Sequence, residues 1–218
     1  MDNQFIPLDF QYYSTQEIEK RISEFSQLMK KRRTVRDFSA KEVPEKIILE
    51  AVSIAGSAPS GANLQPWFFS VVKSKEVKKQ IRKLAEENEK SFYEKIPEDW
   101  MGKLKPLGTG KSKHFLEEAP YLIVVFEKKY EIINGKKSKL YYTRESVGLA
   151  TGFLITALHY AGLATLTYTP TNMLFLNDVL NRPKNEKPFM VILTGYPKEN
   201  TKVPKIEKKP INKICEVV

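Results

Sequence analysis

Three sets of residues have the types and spacing to do chemistry. Lys31-Arg32-Arg33-Thr34-Val35-Arg36 places three guanidiniums and a hydroxyl within five residues. A guanidinium is a planar fork of donors that matches phosphate oxygens, so the cluster reads as a phosphate grip. Basic residues at the end of a helix also complement its macrodipole, so the cluster alone does not decide. The second set is the loop Ala58-Pro59-Ser60-Gly61-Ala62-Asn63-Leu64-Gln65-Pro66-Trp67, small residues and amides leading into an aromatic strand. Such a loop lets backbone N–H groups approach a flat polar ring. In the third set, Glu89 and Tyr93 are four apart and share a helix face, with Lys113 further along. A carboxylate, a phenol and an ammonium can hold an amino acid from both ends. Glu89 would take its ammonium, Lys113 its carboxylate, and Tyr93 either. By spacing alone an ordinary solvated helix end fits these residues as well.

The rest of the catalytic inventory is thin. His114 and His159 lie in unrelated contexts, and His159, in an apolar helix, reads as a packed core histidine. With one cysteine, Cys215, no metal-ligand cluster is expected. There is no G-x-S-x-G elbow, Walker loop or G-x-G-x-x-G. Hydrolase, NTPase and Rossmann readings lose their main support, which leaves a cofactor that brings its own chemistry.

The elements that must position these residues fit one domain with arms, in 218 residues. The formal net charge of +10 is spread over lysines that sit among glutamates, as in Glu76-Val77-Lys78-Lys79-Gln80. No aromatic stripe runs between basic residues, so nucleic acid is not an expected partner. A single cysteine fits a reducing, cytoplasmic compartment, and no secretory signal or membrane anchor is expected. The apolar run Val147–Leu166 contains Thr151, Thr156, His159 and Gly162, and reads as a buried or interfacial helix rather than a membrane span.

Residues 1–13 read as an extended N-terminal arm. Ser14-Thr15-Gln16-Glu17 resembles a capping box, followed by Ile18, Ile22, Phe25 and Met29 at helical spacing. Pro44 opens a second helix with Ile47, Ile48, Ala51 and Ile54 inward. Trp67–Lys73 is a strand, and Ser74 caps a helix with Val77, Ile81, Leu84 and Asn88 on one face. Ser91–Gly110 loses its period and reads as a mobile segment. Tyr121–Phe126 is a central strand, Asn134-Gly135 a turn, Ala164–Thr169 and Phe189–Thr194 strands, and Leu174–Leu180 a short helix. From Pro197 the chain is basic and non-periodic, a C-terminal arm over about 197–218. The mixture predicts an α+β fold in three layers, α/β/α.

The arginine cluster and the Pro59–Trp67 loop, in this order and at this separation, resemble the flavin-binding elements of the nitroreductase superfamily. Glu89, Tyr93 and Lys113 narrow the resemblance to its iodotyrosine deiodinase branch. Further matches are Asn134-Gly135-Lys136-Lys137, Leu140-Tyr141-Tyr142, Ala161-Gly162-Leu163, Thr167-Tyr168-Thr169-Pro170, Gly195-Tyr196-Pro197 and Lys209-Pro210. The resemblance implies a nitroreductase-like FMN-binding fold, with domain-swapped arms in a homodimer. It implies that Arg32, Arg33, Thr34 and Arg36, with Lys208, hold the FMN phosphate. Pro59, Ser60, Gly61, Ala62 and Asn63 would line the isoalloxazine, and Thr169 would hydrogen-bond flavin N5. Glu89, Tyr93 and Lys113 would bind a halotyrosine zwitterion from a lid over about 88–113, with the Ala62 amide on the phenolic oxygen. The chain is expected to depart from the animal members in having no membrane anchor, and it differs by one residue in length between Tyr93 and Trp100.

The implied activity is FMN-dependent reductive dehalogenation of halotyrosines, with an unspecified external electron donor. The alternative is an NAD(P)H-dependent FMN nitroreductase acting on nitroaromatics or quinones, which would not need the triad. A flavin-cleaving relative and a non-enzymatic FMN carrier are further readings.

Overall fold

The computed structural model describes residues 5–218, without the side chains of Lys103 and Lys105. The first four residues of the expected N-terminal arm lie outside it. Two compact units are present, one ending at Arg32 and one spanning Arg33–Val218. In the first, residues 5–14 have no regular structure and α1 spans Thr15–Lys30. Ser14 Oγ accepts the Glu17 N–H at 3.3 Å, the forward half of the expected capping box. Ile18, Ile22 and Phe25, the expected apolar face of α1, are exposed.

In the second unit the elements run α2 (Glu45–Gly56), β1 (Trp67–Val72), α3 (Lys75–Lys95), α4 (Glu98–Leu104), α5 (Phe115–Glu118), β2 (Tyr121–Lys128), β3 (Tyr130–Ile133), β4 (Lys136–Lys139), α6 (Thr143–Tyr160), β5 (Ala164–Tyr168), α7 (Phe175–Val179) and β6 (Glu186–Gly195). The main sheet has the order β1-β2-β6-β5, and each neighbouring pair is antiparallel. β3 and β4 form a separate hairpin on Asn134-Gly135, where both residues take the positive φ of a type I′ turn.

Tyr121–Phe126 of β2 is an unbroken apolar run because both faces of the strand are covered. On one face Ile123, Val125 and Ile192 pack with Ile48, Ala51 and Ala55 of α2 and with Val147, Ala150, Leu154 and Leu158 of α6. On the other, Leu122, Val124, Phe126, Leu166 and Tyr168 pack with Ile81 and Ala85 of α3, Phe115 and Leu116 of α5, and Leu176 of α7. These are the three expected layers.

Several local expectations shift. Ile54 is exposed, because the buried stripe of α2 passes through Ala55, roughly 100° further round the helix. The apolar run Val147–Leu166 is not one helix. α6 stops at Tyr160, Gly162 takes φ +80°, and β5 begins at Ala164. No helix among the described residues is long and apolar enough to cross a membrane. Ser91–Gly110 is largely helical, since α3 continues to Lys95 and α4 follows. Of the expected face of α3, Ile81 is buried and Val77 packs partly buried against the core. Leu84 and Asn88 are only partly buried, and the buried residues are Lys78, Ile81, Ala85, Glu89 and Tyr93. His159 is partly exposed rather than packed in the core.

Candidate functional site

The stripe on α3 changes character along its length. Ile81 and Ala85 face the core, and one turn further the same face carries Glu89 and then Tyr93. A helix buried along one stripe delivers a carboxylate and a phenol into the protein interior. Lys113, just before α5, enters from the other side. Glu89, Tyr93 and Lys113 are 6%, 8% and 1% exposed.

The three side chains meet. Lys113 Nζ lies 2.8 Å from Glu89 Oε2, donates to the Tyr93 hydroxyl at 2.9 Å, and donates to the Gly110 carbonyl at 2.6 Å. An ammonium has three N–H donors, so Lys113 is fully satisfied. Tyr168, at the end of β5, donates its hydroxyl to Glu89 Oε2 at 3.2 Å. Burial and the Glu89 charge push the Tyr168 phenol well above its ordinary range, so it stays a donor. Tyr168 is a member of the cluster that the spacing argument missed. The available signal was strand alternation, which puts it on the Leu166 face of β5, facing α3.

Arg36 is partly buried. Burial lowers its pKa, while Tyr93 and Asp37 are close enough to act against that lowering. Arg33 has different neighbours, and its guanidinium donates to the Pro204 carbonyl. Thr34 forms a parallel bridge with Thr165, and the Val35 N–H donates to the Thr165 carbonyl at 3.1 Å. Arg32 closes the first unit, where its N–H donates to the Met29 carbonyl. Lys208 is exposed on the segment that follows Pro204.

The Pro59–Trp67 loop is held in an unusual shape. Ala62, Asn63 and Gln65 all have positive φ, a region that costs a non-glycine residue about 1 kcal/mol or more. The shape is fixed by the Gln65 N–H donating to Ser60 Oγ at 3.0 Å, with Asn63 and Leu64 bonding back to Ser60 and Gly61. Among the described residues these bonds leave the Ala62 N–H unused, and Ala62 and Asn63 are exposed. Gly61 lies against Tyr142, where an added Cβ would stand 2.9 Å from the ring. Pro59 is exposed and Ser60 partly so.

Thr169 is exposed and follows Tyr168 directly, so the end of β5 offers the cluster one side chain and an open recess the next. That recess is lined by Thr169, Glu127, Arg144, Lys187 and Met190 among others. Glu89, Tyr93 and Lys113 are thus assembled within the chain. Among the described residues no hydrogen bond ties the Pro59–Trp67 loop or Arg33 to them.

Residues 29–196 match the model of the nitroreductase family. The chain is 45% identical over 207 residues to an iodotyrosine deiodinase of Haliscomenobacter hydrossis, covering 94% of this chain and 93% of that protein. It is 41% identical over 216 residues to human iodotyrosine deiodinase 1, covering 98% of this chain and 75% of that one. A solved structure of oxidized iodotyrosine deiodinase bound to FMN and 3-iodo-L-tyrosine superposes with a TM-score of 0.75 at 34% identity, covering 88% of this chain and all of that one. A BluB-like flavoprotein of Clostridium difficile has a TM-score of 0.69 at 22% identity over 88% of this chain and 98% of its own, a likeness of fold.

Proposed function

The chain belongs to the nitroreductase family, in its iodotyrosine deiodinase branch, and from that premise we propose an FMN-dependent oxidoreductase that reductively dehalogenates halotyrosines. The observation that carries this reading is the buried assembly of Glu89, Tyr93 and Lys113. It presents one negative and one positive group at the spacing of an ion pair, the complement of an amino acid zwitterion. Glu89 takes the substrate ammonium, Lys113 its carboxylate, and Tyr93 bonds to either. The net reaction replaces a carbon–halogen bond by carbon–hydrogen, takes up an electron pair and a proton, and releases halide.

Bound FMN supplies the electrons, and the residues here fit it. Arg33 and Arg36 offer guanidinium forks suited to a phosphate, and in this reading Arg32, the Thr34 hydroxyl and Lys208 are further phosphate ligands. The loop from Pro59 through Ser60, Gly61, Ala62 and Asn63 offers a strained, exposed backbone with the Ala62 N–H free to meet a ring or a phenolic oxygen. Thr169 Oγ1 would serve as a hydrogen-bond donor to flavin N5. The segment 88–113 acts as a lid that excludes water from the reacting phenol.

The active form is a homodimer. The apolar face of α1, and Leu149, Phe153 and Tyr160 on α6, are exposed in the single chain and would be covered by a second copy. The exposed Ile206, Ile211 and Ile214 give the C-terminal arm the same role. The single cysteine fits a cytoplasmic setting.

The test is titration of the oxidised, FMN-loaded protein with 3-iodotyrosine, following flavin fluorescence, with tyrosine alongside. Quenching at micromolar iodotyrosine is expected. A yellow protein that responds to neither ligand but reduces nitroaromatics with NAD(P)H would replace the deiodinase by a general nitroreductase.

A further inference from the structure

Lys113 is held at its backbone as well as its ammonium. Its N–H donates to Glu86 Oε1 at 2.7 Å, and its carbonyl accepts from the Leu116 N–H at 2.9 Å, joining it to α5. Glu86 is one turn before Glu89 on α3. The same Glu86 oxygen accepts from Arg82 Nε at 2.8 Å. Arg82 reaches on to Glu117 Oε1 and to Ser112 Oγ, each at 3.4 Å. Arg82 and Glu86 therefore grip the residues before, at and after Lys113. Among the described residues neither side chain hydrogen-bonds to Lys113 Nζ, Glu89, Tyr93 or Tyr168.

We propose that Glu86, braced by Arg82, is a positioning residue that fixes the Lys113 backbone to α3, so that both charge-binding groups of the substrate site ride on one rigid element. This rests on the halotyrosine reading above. The physical need is plain. Glu89 is placed by α3 itself, whereas Lys113 lies on a connection that follows Gly108 and Gly110. A side chain with four rotatable bonds finds one position only if its backbone is fixed. A hydrogen bond from the Lys113 N–H to a side-chain oxygen carried on α3 supplies that fixing.

Glu86→Ala and Glu86→Gln in the full-length, FMN-loaded protein separate the alternatives. Gln keeps an Oε1 acceptor for the Lys113 N–H, and Ala does not. Amide hydrogen exchange over residues 110–114, without substrate, reads the grip directly. Exchange in Glu86→Ala should quicken about tenfold or more, and Glu86→Gln should stay near the wild type. With 3-iodotyrosine, Glu86→Ala should raise Kd and KM about tenfold and leave kcat at saturation within about twofold, with Gln restoring most of the affinity. If Glu86→Ala does not fold, Arg82→Met tests the same brace, with quicker exchange and a Kd raised severalfold. Unchanged exchange at Lys113, or quicker exchange with unchanged iodotyrosine affinity, overturns the proposal. So does a Gln variant as weak as Ala. A wild type blind to iodotyrosine sinks the deiodinase reading instead, and the exchange rates then decide the grip alone.

Discussion

Lys113→Met is the sharpest probe of the buried cluster. Met keeps most of the side-chain volume, so packing changes little and the charge is what is lost. Glu89 would then hold a buried carboxylate with one remaining protein donor in the cluster, the Tyr168 hydroxyl at 3.2 Å. Removing one partner of a buried ion pair costs about 3–5 kcal/mol, and the surviving Tyr168 bond points to the lower end. For a chain of 218 residues, about 2–4 °C of melting temperature goes with each kcal/mol, so a fall of roughly 6–12 °C is expected. The companion is the double variant Glu89→Gln/Lys113→Met, in which no charge is left unpaired. It should melt above the sum of the two single losses, with a coupling of about 1–3 kcal/mol. Thermal melts of the four proteins, FMN-saturated at one pH and salt, complete the cycle. A Lys113→Met protein within about 2 °C of wild type, or strictly additive losses, would show that the pair is not formed in solution. The same variant should bind 3-iodotyrosine at least tenfold more weakly, about 1.4 kcal/mol, because the carboxylate loses its cation.

Thr169→Ala should depress dehalogenation about tenfold while FMN stays bound, since the loss is a single hydrogen bond; turnover beside the flavin absorbance decides, and full turnover removes Thr169 from the chemistry. Arg33→Ala should weaken FMN binding about 10- to 100-fold, read by flavin retained after gel filtration, with an unchanged Kd excluding Arg33 from the phosphate grip. Acid stability follows Glu86, whose carboxyl is held below its ordinary range: partial burial opposes ionisation, and the Lys113 N–H and Arg82 outweigh it. A depressed folded pKa gives stability that is present above the unfolded value and lost as pH falls through the folded one. The melting temperature should therefore drop on acidification below about pH 4, and Glu86→Gln should show a shallower acid limb.

What could be read from the sequence was what local chemistry decides. The run Tyr121–Phe126 has no alternation because helices cover both sides of β2, and a continuous apolar run already says so. Asn134-Gly135 names its own turn. The triad residues were legible as a chemical set, but their partners were not. α3 buries Glu89 and Tyr93, polar residues, on the stripe begun by Ile81 and Ala85, and a hydrophobic count stops where that polarity begins. For the same reason the segment after Ser91 shows no apolar period, although α3 runs to Lys95 and α4 follows. Tyr168 was hidden among strand residues, where an aromatic needs no special explanation. The positive φ values at Ala62 and Gln65 were invisible because neither residue type favours that region, and Asn63, which tolerates it, has no glycine beside it to name a turn as Asn134 has.

The internal pairing of Glu89 with Lys113 bears on what the site accepts under the proposed function. Two opposite charges buried side by side neutralise each other, and a ligand that replaces either partner must separate them. A ligand with a single charge would satisfy one partner and strand the other in a low-dielectric interior, where an unpaired ion is costly. An uncharged phenol satisfies neither, so it has no electrostatic reason to open the pair. A zwitterionic amino acid brings an ammonium for Glu89 and a carboxylate for Lys113, and so exchanges one ion pair for two with no charge left over. The pair that closes the ligand-free site is then also its filter, because the work of opening it is returned only to a ligand carrying both charges. Tyr93 suits such an exchange, since its hydroxyl accepts from Lys113 in the closed pair and can donate to a carboxylate once the pair has opened.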